Sequence, residues 1–178
     1  QSAQGEWVAA ERDGVAWVTT SLDGGRKQPD PCQPSHYVLG NAKWADLSVH
    51  ATLRTDRLVG AAGLMFGCQP PYDLSSGTPW IARRAPGVKG KAGRAAIVQV
   101  KGDKEHILVH GPCHVPHDSC TMFVAARGDA VRFYVNDHLE LRAPVPEPIE
   151  GGVGFMATGQ GEASFGDLRV FGQHDTDW

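Results

Sequence analysis

Tyr72, Trp80, Arg83 and Arg84 bring two aromatic rings and two permanent cations into one short stretch of chain. Sugar rings present C–H faces that pack on aromatic rings. Their hydroxyls, carboxylates or sulfates need hydrogen-bond donors, for which the planar guanidinium fork is well suited. These residue types point to glycan recognition, with acidic sugars favoured by the charge; the other use of the same aromatics is to pin a long loop to the body of the domain. They sit in Gly67 to Arg94, the longest segment without a strand pattern, and loops of that length in a compact domain are usually functional or disordered.

Three further groups could do chemistry. Gln99 is a polar side chain inside the apolar run Ala96-Ile97-Val98-Gln99-Val100, with Asp103 just beyond it. His106 and His110 share a strand face by parity, and His114 and His117 follow between Cys113 and Cys120, so a divalent metal could draw on several of them, although the spacing matches no established site. Asp167, in the closing strand, is a carboxylate that could ligate a cation or cap a turn. Paired acids, which glycoside cleavage requires, are missing: Glu147 and Glu150 lie among Pro144, Pro146 and Pro148, in an extended loop with no common face. There is no Gly-x-Ser-x-Gly elbow either. These absences argue against an enzyme.

The elements that must position these groups are strands. Val131, Phe133 and Val135 alternate with Arg132, Tyr134 and Asn136, and Leu47, Val49, Ala51 and Leu53 alternate with Ser48, His50, Thr52 and Arg54, the period of half-buried strands. Asn136-Asp137 and Asp13-Gly14 mark hairpin turns, and Thr158-Gly159-Gln160-Gly161 reads as a turn between strands 151–156 and 163–171. With 22 Gly and 12 Pro punctuating short segments and no helical periodicity, the chain reads as all-β, and its 178 residues with 41% apolar content suit one sandwich domain spanning residues 1–178. Trp7, Trp17 and Trp44 fall on strand patterns and are expected to pack.

Charge and cysteines narrow the class. The net charge of −3 and the lack of a basic helix or an RNA-type aromatic motif exclude nucleic acid as the expected partner. The distribution is uneven, for Arg83, Arg84, Lys89, Lys91, Arg94, Lys101 and Lys104 face only Asp103. Cys32, Cys68, Cys113 and Cys120 form no CxxC pair, so disulfides are expected, Cys113 with Cys120 across a short loop and Cys32 with Cys68, although three connectivities are formally open and free buried cysteines in a cytosolic protein are the alternative. No apolar run approaches a membrane span. Oxidised cysteines and a polar surface predict secretion, and the tail His174 to Trp178 is expected to lead towards a further domain of a larger protein.

The run Gly128-Asp129-Ala130-Val131-Arg132-Phe133-Tyr134-Val135-Asn136-Asp137, then Gly152-Val153-Gly154-Phe155, then Ala163-Ser164-Phe165-Gly166-Asp167-Leu168-Arg169-Val170, resembles the closing half of concanavalin A-like, laminin-G-like jelly rolls. Trp44-Ala45-Asp46-Leu47-Ser48-Val49 and Gly63-Leu64-Met65-Phe66 are similar to the paired strands of its opening half. The resemblance implies a two-sheet antiparallel jelly roll of about twelve strands. This fold is shared by carbohydrate-binding modules, laminin-G adhesion modules and sugar hydrolases such as keto-disaccharide hydrolases. The Glu-x-Asp-x-x-Glu motif of the family sixteen glycanases and the strand motifs of alginate lyases are absent. In sugar-processing relatives the strand comparable to that of Gln99 faces the concave sheet, which adds Gln99 to the ligand set. A secreted, non-catalytic carbohydrate-binding or lectin-like domain is therefore expected, with a poly- or oligosaccharide partner and Tyr72, Trp80, Arg83, Arg84 and Gln99 at the site; because this sandwich often carries a structural calcium ion, the resemblance also makes Asp167 a candidate calcium ligand with Glu6 or Glu11 as partners. A small glycoside-acting enzyme and an adhesion domain are the alternatives.

Overall fold

The computed structural model describes residues 2–4, 6–22, 35–39, 44–71, 78–87, 92–102, 104–113, 119–145 and 148–174. Among them are twelve strands: β1 (Ser2–Gln4), β2 (Trp7–Arg12), β3 (Val15–Leu22), β4 (Ser35–Leu39), β5 (Trp44–Cys68), β6 (Trp80–Ala85), β7 (Gly93–Lys101), β8 (Lys104–Cys113), β9 (Ser119–Arg127), β10 (Ala130–Val135), β11 (His138–Pro144) and β12 (Gly152–His174). All the pairings are antiparallel, as the alternating, turn-punctuated sequence requires.

Two strands of unusual length organise the rest. β5 runs for 25 residues and β12 for 23, far beyond the usual five or six or so. They pair with each other almost throughout. In its first half β12 also pairs with β4, and in its second half with β3; β5 pairs first with β9 and then with β6. This paired ribbon therefore passes from one layer of the sandwich to the other. The first layer is β1, β4, early β12, late β5, β6, β7 and β8. The second is β2, β3, late β12, early β5, β9, β10 and β11.

The bend corrects one sequence expectation, because Thr158 to Gly161 is a crossing point inside a strand and not a turn. Gly60 and Gly159 lie directly opposite each other, and a Cβ on either would run into the backbone of the facing strand, at Thr158 O and Val59 O respectively. Arg57, Gly60, Gly159 and Gly161 all have positive φ, and the register shifts between Gln160 and Glu162, so a bulge turns both strands together. Phe155 from before the bend and Phe165 from after it then stack at 4.5 Å in the core. One continuous cluster fills the space between the layers, including Leu47, Val49, Leu53, Leu64, Phe66, Ile97, Met122, Val124, Phe133 and Phe155.

The first layer is apolar on its other side too. Val38, Met65, Ile81, Val98 and Met156 form a second buried cluster on the outer face of β4, β12, β5, β6 and β7. Across the second layer the outer face is polar and aromatic, with Thr52, Phe123, Arg132 and Tyr134 half-buried. There Trp17 lies flat over the backbone of Gly166, where a Cβ would come within 2.6 Å of the indole, and the Arg54 guanidinium covers its ring at 4.4 Å.

Candidate functional site

Trp80 begins β6 opposite Phe66 on one side and Gln99 on the other. Its parity matches Ala82, which points into the core, so the indole turns inward, stacks on Phe66 with centroids 6.2 Å apart and is only 5% exposed. Gln99 and Lys101 follow the parity of Ala95 and Ile97 and also face inward, at the end of β7 where the core runs out. The segment after β11 crosses this opening. Ile149 packs into the core there, close enough to Gly67 that a Cβ on that residue would meet its Cγ2 at 2.8 Å, and Gln69 Nε2 donates to the Glu150 carbonyl at 2.7 Å. Gly67 itself has a φ of 69°, a conformation that glycine adopts without strain.

These elements enclose an open-mouthed cavity of about 440 Å³ lined by Gly67, Gln69, Thr78, Trp80, Gln99, Lys101, Val145, Pro148, Ile149 and Glu150. One wall is apolar and aromatic. The other groups are two amides, a hydroxyl, an ammonium and a carboxylate, donors and acceptors of both charges around a space the size of one or two sugar rings. Glu150 is the sole carboxylate in that described lining. A general acid paired with a second carboxylate, the usual requirement for glycoside cleavage, cannot be assembled from these residues alone.

The sequence-selected residues separate in space. Trp80 and Gln99 come together in the cavity, Trp80 as part of its wall and not as an open platform. Gln99 lies on the core-facing side of its strand, which corrects the expectation of an outward concave face. Arg83 and Arg84 belong to a strand, not to an irregular loop, and β6 sends them to opposite sides. On the outer face, both terminal nitrogens of Arg83 donate to the Glu105 carboxylate at 2.7 Å. Arg84 points inward, is 2% exposed, and so does not reach a surface ligand. Tyr72, Asp103, His114 and His117 lie outside the described residues. His106 and His110 are exposed on β8.

Asp167 does not suit the calcium role. Its two carboxylate oxygens accept from Arg169 Nε and an Arg169 terminal nitrogen at 3.0 and 3.1 Å, and no group of three His, Cys, Asp or Glu able to hold a metal ion occurs among the described residues. With φ at 49°, it serves the bulge in β12 between Gly166 and Arg169.

The cysteines also depart from expectation. Cys68, Cys113 and Cys120 are buried thiols, so the Cys113–Cys120 disulfide is not formed, and Cys32 lies outside the described residues. Burial pushes the Cys68 thiol up to about 12. It pushes Cys120 up to about 11, with the neighbouring Arg84 charge opposing and Cys113 adding to the rise. Thiols in such surroundings pack as small apolar groups.

Lys101, Gln69, Thr78 and Glu150 are site residues that the sequence reading passed over. Lys101 was within reach, standing two residues beyond Gln99 and therefore on the same strand face. Glu150 required knowing that the proline-rich segment folds back over the end of β7.

No protein-family model and no curated protein sequence matches the chain. Solved structures do. The carbohydrate-binding module CBM66 from Bacillus subtilis superimposes with a TM-score of 0.62 at 14% identity, covering 95% of this chain and 93% of that one. A protein with a galectin-like fold from Bacillus subtilis gives 0.65 at 13%, over 96% and 88%. A beta-glucanase from Bacillus licheniformis gives 0.57 at 9%, over 93% and 82%. At these identities the likeness is one of fold, a two-layer antiparallel jelly-roll sandwich.

Proposed function

We propose that this domain binds carbohydrate without cleaving it, through the cavity between Trp80, Gln99, Lys101 and Glu150. The observation that carries the reading is the lining: an aromatic wall with convergent neutral and charged hydrogen-bonding groups, among whose described residues Glu150 is the one carboxylate. Its fold neighbours include a carbohydrate-binding module as well as a glucanase, and the convergent amide, hydroxyl and ammonium groups beside the aromatic wall support the binding precedent. An extracellular setting belongs to the same proposal and rests on the ligand class alone, since the cysteines among the described residues are unbridged.

A glycan array followed by calorimetry on the best ligand tests this. Gln99→Ala and Lys101→Ala should each weaken binding by about tenfold, the effect of one lost hydrogen bond in a desolvated site. Arg83→Ala should leave it unchanged, because that guanidinium already spends both terminal nitrogens on Glu105. Full binding by the Gln99→Ala, Lys101→Ala double variant removes the cavity from consideration. Release of reducing ends, abolished by Glu150→Gln, would make the domain an enzyme.

A further inference from the structure

The outer face of the second layer carries a different set of groups, on the side of the molecule away from the outer face of β6 and β7. Cross-strand register sets two rows over it. One runs from Phe171 through Ser48 and Ala125 to Arg132 and Arg142, and the next from His50 through Phe123 to Tyr134 and Leu139. Five neighbouring strands span roughly 19 Å at about 4.8 Å each.

The rows differ in height. Ser48 and Ala125 are small and form a floor, while Phe171, 56% exposed, stands at one end and the Phe123–Tyr134 pair, with centroids 5.5 Å apart, stands along one side. The other end is cationic. Arg132 and Arg142 are directly opposite each other on β10 and β11, an arrangement that like charges disfavour. Arg127, on the same face of β9, adds a third guanidinium, which spends Nε on the Asp46 carbonyl at 3.1 Å. The counter-charges are weak: Asp129 stands 3.7 Å from Arg142 with both side chains largely exposed, Asp167 is committed to Arg169, and Arg132 has no carboxylate within 4.0 Å among the described residues.

We propose that this face binds an acidic polysaccharide, one bearing sulfate or uronate groups, as a second site separate from the cavity. A sugar ring lies over Ser48 and Ala125 with its C–H face against the aromatic edge, and its anionic substituent bridges Arg132 and Arg142, relieving their repulsion through charge-assisted bonds. The two rings are tilted at 45° and half-buried, which offers a wall to a sugar but no open plane on which a base could stack. The net charge of −3 also opposes a long nucleic-acid strand, whereas a locally cationic trough suffices for one or two sugar anions.

The test is binding of a fluorescent heparin octasaccharide to the whole protein by anisotropy, with a dextran oligosaccharide, polyphosphate and a single-stranded oligonucleotide in parallel. Heparin should bind and the other probes should not. The Arg132→Ala, Arg142→Ala variant should lose about tenfold or more in affinity, and added salt should reduce wild-type binding. Tyr134→Leu, which keeps an apolar side chain and the fold, should lose about threefold. Gln99→Ala should bind heparin normally, which separates this site from the cavity. Equal binding of polyphosphate or the oligonucleotide, an unaffected double arginine variant, or an unaffected Tyr134→Leu would each overturn the proposal.

Discussion

Replacing Trp80 by alanine discriminates between a cavity wall and an exposed sugar platform, because the two roles differ in what they do to stability. An aromatic on a loop can be removed at little cost to the fold. Here the indole is 5% exposed, stacked on Phe66 and in contact with the main core, so truncation leaves a void that β6 and β5 cannot close without moving. Such substitutions cost about 3–5 kcal/mol, a large part of the roughly 5–15 kcal/mol that holds a domain folded. At about 2–4 °C per kcal/mol for a domain of this size, the melting temperature should fall by roughly 6–20 °C. Trp80→Phe, which keeps a ring against Phe66, should recover most of that loss while still lowering glycan affinity, since the cavity wall recedes. Differential scanning calorimetry and isothermal titration on the same samples provide both readouts. A Trp80→Ala protein that melts with the wild type and has lost only binding would refute the inward orientation, and with it the assignment of the cavity.

Two other substitutions test the fold and the thiols. Gly166→Ala should destabilise by about 1–3 kcal/mol, because its methyl enters the Trp17 ring and displaces it from under Arg54, whereas in a Trp17→Ala background the same change should be neutral; equal costs in both backgrounds, measured by urea unfolding, would show that the indole is not what the glycine accommodates. Cys68 keeps its proton in the folded state up to about pH 12 but loses it near 9.0 when unfolded, so its contribution is complete below pH 9 and disappears as pH rises towards 12. The stability of the wild type relative to Cys68→Ala should therefore fall by about 1.4 kcal/mol per pH unit between roughly pH 9.5 and 11, and parallel curves would mean that this thiol is not buried.

How much of this was legible in the sequence depends on how many faces of a strand are buried. Leu47 to Leu53 and Val131 to Val135 belong to the second layer, apolar inside and polar outside, and their alternation assigns both strand and face. β6 and β7 have apolar neighbours on both sides, Ala82 and Ile97 inward, Ile81 and Val98 outward. Alternation vanishes in such strands. Trp80 to Ala85 therefore read as loop, and nothing indicated which of Arg83 and Arg84 would face the core. The crossing at Gly159 and Gly161 failed for another reason. A glycine-rich tetrapeptide serves a hairpin turn and a strand bend equally well, and only its pairing with Val59 and Gly60, about a hundred residues away in the chain, distinguishes them.

Charge shows the same gap between chain and space. The densest run of cations in the sequence, from Arg83 to Lys104, does not form one basic surface: Arg83 is neutralised by Glu105, Arg84 lies inside, and Lys101 turns into the cavity. Arg127, Arg132 and Arg142 attract no attention in the chain, because Asp129, Asp137 and Glu140 lie between them. Asp137 sits in the turn at the far end of the β10–β11 hairpin, while Glu140 is the residue skipped where the register shifts, leaving the arginines to meet across adjacent strands. In a sheet, the neighbours of a charge are set by parity and register more than by distance along the chain. Exchanging Arg142 with the outward-facing Leu139 on the same strand would therefore separate the arginine pair without changing composition or net charge, and heparin affinity should fall by several-fold; unchanged affinity would show that the register of Arg132 and Arg142 does not matter to binding.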